Sequence, residues 1–191
     1  SITATGKTYD GSDSAAITGC SLESSSGNHG VISGDAVGCA ASNGHFADAN
    51  AGSGKTVSAD VALNGTAKDD YHLTSATAST TADIDKADSA TTVTCGAGPF
   101  VYDGSARTPC SAHVTGAGGL DEALSVDYSN NTHAGTASAS AVYGGDANHT
   151  GSDDSQTFTI VKRDATASIT AAGKTYDGSD SATIDSCSLE S

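Results

Sequence analysis

The first 24 residues of the chain return, nearly unchanged, at its other end. Ser1 to Ser24 reads SITATGKTYDGSDSAAITGCSLES and Ser168 to Ser191 reads SITAAGKTYDGSDSATIDSCSLES, with four positions different. Aligning Cys20 with Cys187 sets a period of 167 residues (187 − 20). One full period and the start of a second are therefore present, and a longer parent protein is expected.

A weaker repeat lies inside the period. Ile84-Asp-Lys-Ala-Asp88 recurs as Ile160-Val-Lys-Arg-Asp164, and Tyr-Asp-Gly occurs at Tyr9, Tyr102 and Tyr176. The expected organisation is two related modules that alternate, residues 1–83 and residues 84–162, with residues 163–191 as the incomplete start of the next module of the first kind. Each is the size of a small sandwich domain.

Apolar residues alternate with polar ones, and no stretch has the helical period. Val57, Ala59, Val61 and Leu63 fall on one face of an expected strand, as do Leu124, Val126 and Tyr128, and later Phe158 and Ile160. Thr136 to Tyr143 alternates with small residues. Between these stand turn signals such as Asp10-Gly11, Asn43-Gly44, Gly116-Ala-Gly118-Gly119 and Gly144-Gly145-Asp146. Short strands with this punctuation predict an all-β fold of β-sandwich modules. In each Tyr-Asp-Gly the ring is expected to anchor on the core while Asp-Gly turns the chain.

Such a core is lean. Leu, Ile, Val and Phe make up well under a fifth of the residues, and the net charge is −15, a composition close to that of disordered chains. Five cysteines supply the missing constraint. Cys20 with Cys39 and Cys95 with Cys110 are the expected disulfides, one per module, which implies an oxidising compartment. Cys187 repeats Cys20, and its partner is expected outside the chain or in a neighbouring copy. The expected location is secreted, extracellular or at the cell surface.

Acidic balance and sparse Lys and Arg argue against nucleic acid as a partner. No transmembrane run occurs in this segment. Gly52-Ser-Gly54-Lys55-Thr56 contains the end of a phosphate-binding loop, but the position that needs its first glycine is Ala49, and a strand pattern follows where a helix is required. His29, His45, His72, His113, His133 and His149 fit no zinc motif and are expected on solvated loops and strand faces. No catalytic residue and no cofactor is expected.

Asp146, Asn148, Asp153 and Asp154 are the densest oxygen donors and the candidates for calcium, although a solvated acidic surface is the preferred reading. Sequons at Asn64, Asn130 and Asn148 are candidate glycosylation sites, with bare asparagine preferred. The abundant Ser and Thr offer O-linked attachment instead. An isopeptide crosslink through Lys7 or Lys55 has no partner that the sequence selects.

Gly6-Lys-Thr-Tyr-Asp-Gly11, Gly34-Asp35, Phe46-Ala-Asp-Ala-Asn-Ala-Gly52, Gly54-Lys55 and Asp70-Tyr-His-Leu73 resemble the YDG repeat of large bacterial secreted adhesins. Val101-Tyr-Asp-Gly104, Thr108-Pro-Cys110, Val114-Thr-Gly-Ala-Gly-Gly119, Asn131-Thr-His-Ala-Gly135 and Tyr143-Gly-Gly-Asp-Ala-Asn-His149 are similar to the MBG repeat of the same kinds of protein. The resemblance implies immunoglobulin-like β-sandwiches strung in tandem outside the cell. The expected function is structural, as a surface stalk or a self-assembling filament, with residues 168–191 packing on another copy or an adjacent repeat. The alternative is an adhesin module that binds a glycan or a host or partner protein.

Overall fold

The computed structural model describes residues 1–189, whose regular secondary structure is almost all β-strand, with single 3-10 turns at Lys68–Asp70 and Ala117–Gly119. The first segment holds β1 (Ile2–Ala4), β2 (Lys7–Thr8), β3 (Ile17–Cys20), β4 (Gly38–Phe46), β5 (Gly52–Asn64) and β6 (Thr77–Asp85). Strands β4, β5 and β6 form an antiparallel meander that β2 extends in parallel, while β1 and β3 form a separate hairpin.

The alternation in β5 comes through as expected, with Val57 and Ala59 buried and Val61 and Leu63 half-buried. Val57 joins Phe46 and Ile84 in one cluster, and Ala4, Tyr9 and Ile17 close over it. Ile84 thus packs with the first segment, although the sequence reading starts the second module there, and β6 runs on to Asp85.

The second segment holds β7 (Ser89–Cys95), β8 (Phe100–Val101), β9 (Cys110–Gly116), β10 (Leu120–Leu124), β11 (Asp127–Ser129), β12 (Gly135–Tyr143) and β13 (Ser152–Val161). They form two sheets, β10-β9-β7 and β11-β12-β13-β8. Val93 and Ala112 from the first meet Ala137, Ala139, Ala141, Phe158 and Ile160 from the second in a single core. Three alanines of β12 therefore lie where larger residues usually sit, which lets the sheets approach closely. Leu124, Val126 and Tyr128 share the inward face as expected, but the chain changes sheets between Leu124 and Asp127, so the expected single strand is two.

A repeat in sequence becomes a repeat in register. The tail strands β14 (Ala167–Ala171) and β15 (Ile184–Leu189) pair Ile169 with Cys187 and Ala171 with Ile184, as β1 and β3 pair Ile2 with Cys20 and Ala4 with Ile17. Both hairpins slip register at the equivalent residue, after Thr3 and Thr170. What differs is cover: Ile2 is 4 % exposed and Ile169 62 %. The expectation for residues 168–191 can be followed to Leu189; Glu190 and Ser191 lie outside the described residues.

The path of the chain follows from the pairings. At one end of β5, Gly52 pairs with Ile84, from which the chain leaves the first segment. At the other end Leu63 pairs with Cys39, which is bridged to Cys20, the partner of Ile2. The chain therefore enters and leaves at opposite poles of a strand about 40 Å long. The second segment does the same. Ser89 starts β7 beside Ser152 at the start of β13, with 2.8 Å between their hydroxyls, and the chain leaves at Val161 at the far end of β13.

Candidate functional site

The three Tyr-Asp-Gly turns share one local geometry. Asp10 Oδ1 accepts hydrogen bonds from the Ser12 amide (2.8 Å) and from Lys7 Nζ (2.7 Å), and Lys7 also donates to the Ser12 carbonyl. The Lys7 bond, with the Ser12 amide, holds the Asp10 carboxyl down at about 2. Asp177 repeats this arrangement with Lys174 and Ser179. In the second segment Asp103 accepts from the Ser105 amide and pairs with Arg107 at 2.8 Å. The glycines that follow, Gly11, Gly104 and Gly178, have φ of 81°, 85° and 77°, the left-handed region that favours glycine.

Each of the first two turns is also tied to the last strand of its own segment. The Tyr9 amide donates to the Asp85 carbonyl at 2.8 Å, and the Tyr102 amide donates to the Val161 carbonyl at 2.9 Å. The Ile-x-Lys-x-Asp recurrence seen in the sequence begins in the last two residues of that strand, at Ile84 and Ile160, and runs on past its end.

Where the two segments meet, the first turn does more. A Cβ on Gly11 would lie 2.8 Å from Gly118 Cα, and one on Gly118 would lie 2.5 Å from Tyr9 Oη, so bare backbone meets bare backbone. The Tyr9 ring stands edge-on to His149, with centroids 5.2 Å apart. His149 is 4 % exposed. Its Nδ1 lies 3.0 Å from both carboxylate oxygens of Asp146, and its Nε2 lies 2.9 Å from the Ala117 carbonyl.

Next to it, Asn148 spans the contact. Its Oδ1 accepts from the Ala51 amide at 2.9 Å and its Nδ2 donates to Asn50 Oδ1 at 3.2 Å. The connecting residues are held as well: the Ala87 amide donates to the Asn148 carbonyl, the Thr150 amide to the Ala87 carbonyl, and Lys86 Nζ to the Asp146 carbonyl. Turn, linker and the loop between β12 and β13 make up one junction.

This junction corrects one expectation and places the calcium candidates. His149 is buried, not solvated, because its partners come from Ala117 and Tyr9, far away in sequence. The calcium candidates do not converge. Asp146 serves His149, Asn148 serves Ala51, and Asp154 accepts from the Val93 amide at 2.7 Å, while the neighbouring Asp153 is exposed. Among the described residues no three His, Cys, Asp or Glu side chains are grouped to hold a metal ion.

The other candidates are placed as follows. Cys20–Cys39 and Cys95–Cys110 are disulfide-bonded, and Cys187 is free and exposed. Asn64 and Asn130 are exposed, whereas the Asn148 amide is engaged on both atoms. Gly54 and Lys55 lie within β5, and Lys55 pairs with Asp48, so the glycine stretch is strand and not a loop before a helix. Beside Cys20–Cys39 an open groove of about 840 Å³ is lined by Leu22, Val31, Leu63, Tyr71 and Leu73 among others. Tyr71 closes its rim by donating to Asp35 and accepting from the Ile32 amide.

Residues 1–82 match the model of the YDG domain family. The match covers Tyr9-Asp10-Gly11 and the first six of the nine residues of β6, stopping short of Ile84. No curated protein and no solved structure matches the chain.

Proposed function

We propose that this is an extracellular structural tandem-repeat protein whose alternating units, immunoglobulin-like sandwiches of the YDG and MBG kinds, line up as a surface stalk or a self-assembling filament. The observation that carries this is the path of the chain. Each segment takes the chain in at one pole and releases it at the other, a plan that extends a fibre with every unit added. The YDG match, the repeat of register across 167 residues and one disulfide per segment support the same reading. The exposed face of Ile169, Ile184 and Leu189 would be completed by an adjacent repeat or another copy, as Phe46, Val57 and Ile84 complete the hairpin of β1 and β3.

No catalytic residue and no cofactor has a place in this function. Antibody raised against residues 1–167 and used for immunogold electron microscopy on intact source cells tests it. Gold along thin extracellular strands is expected; gold confined to the cell interior would overturn the proposal.

The groove beside Cys20–Cys39 favours a second reading, an adhesin module that binds a glycan or a host or partner protein. Leu22, Leu63 and Tyr71 offer apolar contact there. Saturable binding of the isolated chain on a glycan array, lost on Tyr71→Ala, would promote it above the structural role.

A further inference from the structure

The junction holds a buried histidine whose two ring nitrogens both face acceptors. A neutral imidazole carries one N–H and could satisfy either the Asp146 carboxylate or the Ala117 carbonyl, leaving a lone pair against the other. The imidazolium satisfies both. We propose that His149 is a proton-operated clasp, protonated when the two segments are docked, and that loss of the proton loosens the surface on which the first segment sits. The inference goes beyond the structural role above and would hold for the junction even if the protein were an adhesin.

The mechanism is one of positioning. Both hydrogen bonds of the ring lie within the second segment, tying the loop at 146–149 to the turn at 117–119. That tied surface is the platform for the first segment: Tyr9 and Gly11 rest on Gly118, and the Ala51 amide reaches Asn148 next to the ring. Unpinning Ala117 from His149 frees the turn that Gly11 touches.

The groups that face His149 set the direction. Asp146, from its own loop, favours the cation most, and the Ala117 carbonyl from the turn after β9 adds to it. Lys86, from the linker, and burial oppose it. Tyr9, from the first segment, presents its ring to the imidazole. Tyr143, close to Asp146, helps hold the carboxylate ionised. The balance raises His149 above the ordinary histidine range and drops Asp146 below the ordinary carboxylate range. A folded-state value above the unfolded one means that the stabilising contribution is complete below about pH 6.5 and is lost as pH rises through the raised value.

Nuclear magnetic resonance on the intact 191-residue chain tests the clasp. Both ring nitrogens of His149 are expected to be protonated at pH 6, with titration above that of free histidine. The rotational correlation times of the two segments should agree at pH 6 and separate on raising the pH to 8.5. Over the same range amide exchange at Ala51 and Ala87, corrected for its intrinsic pH dependence, should speed up roughly tenfold, a change of about 1.4 kcal/mol.

His149→Gln should flatten that profile, and His113→Gln, which alters the exposed pair with Asp121, should leave it unchanged. A neutral His149 at pH 6, a profile flat in the parent chain, or a profile retained in His149→Gln would each overturn the proposal. The ring titration is read in the parent chain, so the result does not depend on how well the variant folds.

Discussion

At the scale of single residues, glycines and charged side chains in turns carry most of the specificity. Gly118 has φ of 66° and no room for a Cβ beside Tyr9. Gly118→Ala should therefore cost about 1–3 kcal/mol through overpacking and a strained backbone, concentrated at the junction. The expected result is amide exchange at Ala51 and Ala87 that is roughly tenfold to a hundredfold faster, with the core of β12 unaffected.

Asp10 offers a test by titration. Its carboxyl is held at about 2 chiefly by Lys7, so it favours the folded state above about pH 4 and loses that contribution as pH falls through its depressed value. In Lys7→Ala the measured Asp10 pKa should move up toward the ordinary carboxylate range. An unmoved value would mean that the Ser12 amide is the dominant partner. The role of Gly118 could not be read from its own neighbourhood in the sequence: the Tyr-Asp-Gly turn was legible as a turn, but its contact with Gly118 joins residues more than a hundred positions apart.

At the scale of elements, several strands with one buried face were legible, because burial imposes the alternation, whereas β7 and β9, with Val93, Ala112 and Val114 inward, were not singled out. Val57 to Leu63 and Thr136 to Tyr143 both come through in register. The crossing from one sheet to the other between Leu124 and Asp127 was not, since Leu124, Val126 and Tyr128 point inward on either side of it and the period never breaks. The close sheets of the second segment follow from alanine. Ala139, at 0 % exposure in the middle of β12, leaves no space for a longer side chain. Ala139→Leu should lower stability by about 1–3 kcal/mol, read from the urea midpoint.

The disulfides act on the same elements. Cys95 and Cys110 sit directly opposite each other on β7 and β9 and close a loop with a separation of 15 residues. Replacing both by Ser should cost roughly 3 kcal/mol, a large share of the stability of so lean a core. Calorimetry would register this as a lower melting temperature for the second segment, with the first segment's transition little changed.

At the scale of the whole molecule, sequence repetition becomes a repetition of path. The 167-residue period was plain in the sequence because 20 of its 24 overlapping positions are identical. What it could not show is that β5 and β13 each carry the chain from one pole to the other, because that depends on pairings such as Leu63 with Cys39 and Ser89 beside Ser152. Nor could it show that a buried histidine and an asparagine bridge hold the first segment on the second.

In the proposed stalk or filament each period adds length and not bulk. Small-angle X-ray scattering on chains of one, two and three 167-residue periods at pH 6 measures this directly. The expected maximum dimension grows by a constant increment of about 70 Å per period, at a constant cross-section. A dimension that grows only as the cube root of mass, with a widening cross-section, would mean that the units pack into a globule and would contradict it.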